Sequence, residues 1–305
     1  MASAGFDFQA MSSSCQIRLE GRDETDLSAA AERAIKEIRR IERKYSRYRS
    51  DSIVSTINQA AGSRTSVRVD KETAGLLGFA SQLHQMSDGL FDVTSGIFRN
   101  IWNFKAGKVP SQEQIDAVLP LIGWSKVNWD GERISLPLSG MEIDFGGFGK
   151  EYAADRAATI IQEAGIQHGF VNLGGDLRVI GPRSTGQGWR FGIQHPRDDG
   201  QVLVSVELAA GGLATSGDYE RYFEADGRRY CHILDVRTGW PVNCWASVSV
   251  VAPACLAAGA LSTIAMLKQK VARDFLEDQA ASALLISPDL ALQYVGSEKP
   301  FPLML

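Results

Sequence analysis

The residues best suited to chemistry lie in one stretch, residues 141–158, where three glycines lead into a lysine. Gly146, Gly147 and Gly149 follow an apolar run, and Lys150 begins a pattern with the apolar spacing of a helix. Glycines allow backbone N–H groups to approach an anion, and the dipole at a helix N-terminus favours negative charge. The stretch therefore predicts an anion site with Lys150 as an added positive charge. A tight turn between a strand and a helix is an equally good interpretation, because neither G-x-G-x-x-G nor G-K-[ST] is present.

A second glycine turn follows the apolar run 169–173, where Asn172 precedes Gly174, Gly175 and Asp176. Clustered backbone N–H groups bind phosphate well. Two turns of this kind in one chain therefore favour a ligand that carries phosphate groups.

Hydroxyl groups and one histidine extend this set in the second half of the chain. The segment 215–218, Thr-Ser-Gly-Asp, is interpreted as a hydroxyl-rich turn. His232 lies on an expected strand between Cys231 and Ile233, where a single histidine is usually a buried core residue. An imidazole also titrates near neutral pH and can exchange protons with a substrate, so a catalytic role stays open. Segment 45–58 mixes aromatic, arginine and hydroxyl residues, which suits either a ligand edge or a solvated loop.

The elements that position these residues follow from the period of the apolar residues. A 3.6-residue period predicts helices over residues 26–45, 71–86, 111–119 and 256–267, and another that begins near Lys150. Apolar runs and alternation predict strands over residues 8–19, 141–145, 169–173, 177–180, 190–194, 202–208, 247–252, 283–286 and 293–295. Turn dipeptides predict hairpins at Asp130-Gly131 and Asp226-Gly227.

Composition excludes several classes of protein. A chain of 305 residues with 44% hydrophobic content can bury a large core. Its net charge of −4 gives no electrostatic reason to expect nucleic acid. No apolar run approaches the roughly 18 residues that span a membrane. The first residues lack the features of a secretory signal, and the four cysteines lack C-x-x-C spacing, so free thiols in a cytoplasmic protein are expected. A periplasmic location is the alternative if a signal precedes this sequence.

Eight blocks carry a resemblance to a known family. In chain order they are FQAMSS, YSRYRSDSIVSTIN, SDGLFDVTSG, IDFGGFGKEYAADRA, FVNLGGDL, ATSGDYERYF, CHILDVRTGWPV and SVSVVAPACLAAGALST. Together they make the chain resemble the ApbE family, the FAD:protein FMN transferases, from about Phe8 to the C-terminus. The most specific blocks are the D-x-G-G-x-x-K turn and the T-S-G-x-Y segment that precedes H-I-x-D-x-x-T-G.

The resemblance implies a fold and a reaction. The implied fold class is α+β or α/β, similar to a T-fold, with mixed sheets and helices over residues 1–305 and a cofactor cleft between two subdomains. Family members hold FAD with a divalent ion, usually magnesium, on its pyrophosphate. They pass FMN to a threonine or serine hydroxyl of an acceptor protein and release AMP, although some hydrolyse FAD to FMN and AMP instead. The expected partners are FAD and a flavin-acceptor protein.

The resemblance also implies the site residues. Cofactor-binding positions of the family match Met11, Tyr48, Asn58, Asp144, Gly146, Gly147, Lys150, Thr215, Ser216, Gly217, Tyr219 and His232. The first three are expected near the flavin ring, the turn 146–150 around the pyrophosphate, and Tyr219 with segment 215–218 along the cleft. His232 matches the histidine implicated in transfer, where it could accept the proton of the attacking hydroxyl or hold the phosphate. Lys150 and Asp144 are expected to serve the cofactor, with a turn cap as the alternative for Asp144.

One position departs from the family pattern and concerns the metal. The family helix reads A-D-A-L-S-T, and its aspartate and threonine lie on one helical face as oxygen ligands for magnesium. Here Thr263 is present, but Gly259 stands where the aspartate is expected. The expected metal ligands are therefore Thr263 and the backbone carbonyl of Gly149, without a carboxylate at position 259.

The missing carboxylate divides the functional prediction. The chain is expected to be an FMN transferase with weakened metal binding. The alternatives are an FAD-binding protein with little or no turnover and an FAD pyrophosphatase. Water is expected to fill the space beside Thr263, and Gly259→Asp is expected to raise turnover. Asp144 is the first candidate for a substitute ligand, and Lys150→Ala is expected to weaken FAD binding without changing the melting temperature.

Overall fold

Alternating apolar residues build a large antiparallel sheet in the first of two units. The structure is a computed structural model that describes residues 1–296 and residue 301. The first unit comprises Met1–Glu42, Phe148–Gly217 and Cys244–Leu305, and the second comprises Arg43–Gly147 and Asp218–Asn243. Each unit has an apolar cluster of its own. The expectation of one domain or two intimate subdomains stays a prediction.

The helices and strands have the following bounds. The strands are β1 (Ala2–Ala10), β2 (Ser13–Gly21), β3 (Val67–Arg68), β4 (Asn128–Trp129), β5 (Arg133–Ser135), β6 (His168–Leu173), β7 (Asp176–Gly181), β8 (Trp189–Gln194), β9 (Val202–Leu208), β10 (Gly211–Gly217), β11 (Tyr222–Ala225), β12 (Arg228–Cys231), β13 (Ser247–Ala252), β14 (Ser282–Ile286) and β15 (Leu292–Val295). The helices are α1 (Glu24–Tyr45), α2 (Ile53–Gln59), α3 (Lys71–Met86), α4 (Gln112–Val118), α5 (Gly149–Glu163), α6 (Cys255–Lys268) and α7 (Ala272–Asp278).

The sheet of the first unit has eight strands in the order β1-β2-β6-β7-β10-β13-β14-β15. Every strand pairing within the described part of the chain is antiparallel, so the fold class is α+β rather than α/β. Strands β8 and β9 form a separate hairpin. Its Val204 and Val206 are buried in one cluster with Phe170 and Leu284 of the large sheet.

Helices α5 and α6 pack against this sheet and against each other. The buried side of α5 consists largely of alanines, including Ala153 and Ala157, which let the helix approach its neighbours closely. Helix α6 is buried on most sides and is apolar almost throughout. Its first N–H groups, those of Cys255 and Leu256, donate to the two carboxylate oxygens of Asp155 on α5 at 3.0 and 2.9 Å. The two helices are therefore joined at the start of α6.

The second unit contains α2, α3, α4, the small sheet β3-β5-β4 and the hairpin β11-β12. Helix α3 begins after Asp70, whose side chain accepts a hydrogen bond from the Thr73 N–H. An aromatic cluster forms around Trp102, whose indole N–H donates to the Gly239 carbonyl at 2.9 Å. Hairpin β11-β12 turns at Asp226-Gly227, as predicted.

The helix predictions are confirmed, and two strand predictions are wrong. Helix α3 has the predicted bounds, and α1, α4, α5 and α6 follow theirs closely. Residues 8–19 were expected to form one strand, but β1 and β2 form a hairpin that turns at Met11 and Ser12. Their φ angles of 52° and 59° are rare for residues other than glycine, so the sequence carries no turn signal there. Among the helices of residues 1–296, none is long and apolar enough to cross a membrane.

The other wrong strand is 141–145, which belongs to no helix or sheet among the described residues. Its apolar side chains Met141, Ile143 and Phe145 are buried. Its backbone groups bond elsewhere: the Asp144 N–H donates to the Val93 carbonyl at 2.8 Å, and Ile143 bonds to the Asn58 side chain. Backbone groups of a buried segment can thus bond to a side chain or to another loop without a neighbouring strand.

Candidate active site

The start of α5 holds Gly149 and Lys150. Helix α5 follows Phe148, a buried residue whose side chain cannot accept a hydrogen bond. The space around Gly149 is open, since a Cβ built there would meet no atom within 4 Å. The first N–H groups of α5 therefore lie at a positive helix end that the preceding residue does not cap.

Lys150 joins the two glycine turns that the sequence singles out. Its Nζ lies 2.7 Å from Oδ2 of Asp176, which begins β7 directly after Gly174 and Gly175. Asp176 is buried, and burial raises its pKa while Lys150 opposes that change. The second turn is held by the Gly175 N–H, which donates to Oδ1 of Asn172 at 2.8 Å. The lysine is thus fixed by a partner that the sequence placed in a different motif.

Glu151 fills the position that was expected to be empty beside Gly259. A Cβ built at Gly259 would lie 2.6 Å from Oε1 of Glu151, so the expectation of a water-filled space beside Thr263 is wrong. Glu151 is 6% exposed. Burial, together with the nearby Asp176 carboxylate, raises its pKa to about 8.

The predicted hydroxyl-rich turn 215–218 is wrong for its first three residues. Thr215, Ser216 and Gly217 end strand β10, which pairs with β13. The Thr215 hydroxyl lies 2.7 Å from the Ser249 hydroxyl. The Ser216 hydroxyl lies 3.0 Å from that of Thr263 on α6. The structure therefore brings two predicted site residues, Ser216 and Thr263, into direct contact.

In the second unit, Asp144 acts as a turn cap. Its Oδ1 accepts a hydrogen bond from the Gly146 N–H at 3.1 Å, and its Oδ2 pairs with Arg47. Both oxygens have partners, so Asp144 is a poor candidate for the substitute metal ligand. Gly147 is required by packing, because a Cβ there would lie 2.9 Å from the ring of Phe91.

Three residues expected near the flavin lie in different settings. Tyr48 is 77% exposed, and its ring lies beside the Arg47 guanidinium, with 5.0 Å from Cζ to the ring centroid. The Asn58 side chain makes two hydrogen bonds to the Ile143 backbone, at 2.7 and 3.0 Å. In the first unit, the Met11 N–H donates to Oε1 of Glu42 at 2.6 Å. Of these side chains, that of Tyr48 has the most exposed surface for stacking, and the flavin contacts stay a prediction.

His232 lies just after β12 and is exposed, so the alternative of a buried core histidine is wrong. The backbone N–H of His232 donates to the Arg221 carbonyl at 3.0 Å, which fixes the backbone at this position. The flanking Cys231 and Ile233 are buried and anchor the segment. Tyr219 is half-buried and follows Asp218, whose Oδ1 lies 3.4 Å from Nη1 of Arg229. The roles of His232 and Tyr219 stay predictions.

A profile of the ApbE family matches residues 11–285 of the chain. The chain belongs to the ApbE family. An FAD:protein FMN transferase of Vibrio cholerae is 34% identical over 224 residues, which are 72% of this chain and 67% of that protein. One of Haemophilus influenzae is 30% identical over 256 residues, 79% of this chain and 74% of that protein.

Solved structures agree with this membership. The ApbE protein of Thermotoga maritima has a TM-score of 0.88 and 33% identity, covering 96% of this chain and 97% of its own. The flavin transferase ApbE of Vibrio cholerae has a TM-score of 0.86 and 27% identity, covering 99% of each chain. The fold expected for the ApbE family is therefore confirmed.

The magnesium ion that the ApbE family implies can be compared with the donors present. Within residues 1–296 and 301, no three histidine, cysteine or acidic side chains form a group that could hold a metal. One buried oxygen is nevertheless unpaired: Oε2 of Glu151 has no hydrogen-bond partner among the described residues. That oxygen, the Thr263 hydroxyl and the Gly149 carbonyl are oxygen donors of the kind that magnesium prefers. The chemistry of these donors therefore fits the ion.

Sequence reasoning missed two charged residues of this site, Glu151 and Asp176. Asp176 was part of the second glycine turn, but nothing in the sequence indicated that it pairs with Lys150. Glu151 follows Lys150 directly, and nothing in the sequence indicated that its side chain is buried. A glycine inside a helix, such as Gly259, was the available signal, because it can mark a place where another side chain needs room.

Proposed function

We propose that this chain is an FAD:protein FMN transferase that moves FMN from FAD to a threonine or serine hydroxyl of an acceptor protein. The acceptor oxygen forms a bond to the FMN phosphorus, the pyrophosphate bond to AMP breaks, and AMP leaves with the bridging oxygen. The hydroxyl proton must pass to a base. The observation that carries the proposal is the start of α5, where Lys150 is held by Asp176 beside the open Gly149, in a member of the ApbE family.

The residues of α5 serve to bind and orient the pyrophosphate. Phosphoryl transfer depends mainly on positioning and on neutralising charge. The first N–H groups of α5 and the Lys150 ammonium supply fixed positive charge. Magnesium, when bound, adds charge neutralisation on the phosphate oxygens. Thr263 and the Gly149 carbonyl are the proposed ligands carried over from the family.

His232 is the proposed proton acceptor or phosphate ligand. Its exposure lets it reach a substrate, and its backbone is fixed by the bond to Arg221. An imidazole can take the proton of the attacking hydroxyl at neutral pH. His232→Ala is expected to abolish AMP release while FAD still binds, and the melting temperature should change little because the side chain is exposed.

The test measures AMP release from FAD and magnesium by chromatography, with and without a flavin-acceptor protein. His195→Ala is the matched control, because His195 directly follows hairpin strand β8 and has no proposed role. Transferase activity requires that AMP appears with covalent flavin on the acceptor. AMP without acceptor would instead indicate an FAD pyrophosphatase. Full activity of His232→Ala would remove His232 from the mechanism.

A second candidate is an FAD-binding protein with little turnover, which the missing carboxylate at Gly259 favours. That candidate predicts bound FAD and no AMP under either condition. The same experiment therefore separates all three activities.

A further inference from the structure

Position 259 and the Glu151 side chain compete for the same space. A Cβ built at Gly259 would lie 2.6 Å from both Cγ and Oε1 of Glu151 and 2.8 Å from its Cδ. Atoms in proteins do not approach so closely, so no side chain fits at 259 while Glu151 holds this position. The carboxyl group of an α5 residue therefore lies where a side chain of α6 would begin.

The carboxyl group is buried and incompletely bonded. Glu151 is 6% exposed, and its Oε2 has no hydrogen-bond partner among the residues that the structure describes. Buried polar atoms are nearly always paired in native proteins. A buried carboxyl oxygen without a hydrogen-bond partner therefore points to a further group that binds to it.

The surroundings of Glu151 have the donors that a hard cation prefers. Thr263 lies one helical turn after Gly259, so both positions are on the same face of α6. Its hydroxyl is 3.0 Å from that of Ser216, which limits its orientation. Carboxylate and hydroxyl oxygens are typical ligands of magnesium. A cation bound beside this face would be within reach of both Glu151 and Thr263.

We propose that Glu151 supplies, from α5, the metal-binding carboxylate that the family pattern places at position 259 of α6. Thr263 provides the second protein oxygen. This assignment rests on the proposed function for the identity of the cation and of the pyrophosphate that it neutralises. Under this assignment the metal-binding carboxylate is present in this chain, but it lies on α5 instead of on the adjacent α6.

A purely structural role for Glu151 makes a different prediction. An acid that only fills the space beside Gly259 can be replaced by glutamine, which has the same shape and no charge. Metal binding would then be unaffected. A metal ligand cannot be replaced in this way, because the amide oxygen of glutamine lacks the negative charge that holds the ion.

The experiment titrates the full-length protein with Mn²⁺, a probe for magnesium sites, and follows the free ion by electron paramagnetic resonance. Each titration is made with and without FAD, and FAD affinity is measured separately without metal. The variants are Glu151→Gln, Gly259→Asp and the double variant Glu151→Gly with Gly259→Asp. Glu20→Gln is the matched control, because Glu20 is also buried in the first unit but bonds to Arg183.

Glu151→Gln should weaken Mn²⁺ binding by roughly 10- to 100-fold, at least as much as loss of a residue that supports a ligand. Its FAD affinity without metal should not change. Gly259→Asp alone should lower the melting temperature, because the new side chain collides with Glu151. The double variant should regain that stability and most of the Mn²⁺ affinity, since it returns the carboxylate to α6. Glu20→Gln should bind Mn²⁺ as the unchanged protein does.

Equal Mn²⁺ affinity of Glu151→Gln and the unchanged protein would overturn the assignment. So would a protein that binds no Mn²⁺ with or without FAD, or a folded double variant without recovery. Failure of the proposed function looks different, because FAD would then not bind or AMP would not appear. Even in that case the titrations without FAD decide whether Glu151 is a ligand.

Discussion

Helices α5 and α6 of the first unit differ in what satisfies their first N–H groups. Neither has a capping side chain directly before it, since α5 follows Phe148 and α6 follows Ala254. At α6, both oxygens of the Asp155 carboxylate accept hydrogen bonds from the first N–H groups. At α5, by contrast, the preceding residue Phe148 makes no side-chain cap hydrogen bond to the helix.

This difference separates a structural helix start from one suited to a ligand. Both starts carry the same positive dipole, and at both the first N–H groups have no partner within the helix itself. At α6 an anion of the protein already occupies them. At α5 the residue before the helix offers no such acceptor, so an anion from outside can approach this helix end, and Lys150 adds a charge that Asp176 holds in place. The comparison predicts that substitutions at the start of α5 affect FAD binding and that loss of the cap at the start of α6 affects stability alone.

The largest expected effect is that of Lys150→Met. Removing the ammonium leaves the buried Asp176 carboxylate without its ion-pair partner, which should cost about 3 kcal/mol of unfolding free energy. It should also weaken FAD binding, because the start of α5 loses its charge. Urea unfolding and fluorescence titration with FAD measure the two effects. The sequence-based expectation of an unchanged melting temperature is therefore revised.

The control for this variant is Lys150→Met combined with Asp176→Asn. Neutralising both partners should recover most of the stability, because no uncompensated charge remains buried. FAD affinity should stay low. If the double variant also regained FAD affinity, the lysine would act through the fold and not on the ligand.

Asp155→Ala should have the next largest effect and tests the other helix. It removes the cap of α6 and the 3.4 Å ion pair with Arg178, which should cost about 2 kcal/mol of unfolding free energy. FAD affinity without metal should not change, since the first N–H groups of α6 serve a contact within the protein, the one with Asp155. Thermal unfolding and the same FAD titration provide the measurement.

Asp155→Asn keeps one acceptor oxygen and should therefore lose less stability than Asp155→Ala. A loss of FAD affinity that grows in parallel with the loss of stability across both variants would contradict the claim that the start of α6 serves stability alone. The start of α6 would then have to be counted as part of the ligand site.

Local rules explain what the sequence could predict. Helix α3 could be delimited because its cap, Asp70, is adjacent to it and its apolar residues repeat regularly. The start of α5 was found from its glycines for the same reason. The cap of α6 could not be found, because Asp155 is distant in sequence and nothing in Ala254-Cys255 indicates an acid partner.

The rest depended on contacts between distant segments. The missing side chain at Gly259 was visible in the sequence, but the residue that fills its space comes from α5. The segment 141–145 has the pattern of a strand, yet its partners are the Asn58 side chain and the Val93 carbonyl. The same apolar pattern fits both outcomes, because burial and not strand pairing determines it.

The smallest expected effect, that of Gly149→Ala, tests the open start of α5 most directly. Gly149 does not have a positive φ, and a Cβ there meets no protein atom within 4 Å. Alanine should therefore stabilise the metal-free, FAD-free protein by about 0.5–1 kcal/mol through lower entropy of the unfolded chain.

Gly78→Ala in α3 is the matched control, because Gly78 also has open space around it and a helical backbone. Both variants should raise the melting temperature, but only Gly149→Ala should weaken FAD binding, since its methyl group takes up space next to the N–H groups that the pyrophosphate approaches. If both variants bound FAD equally well, the start of α5 would be open to solvent without being a binding site.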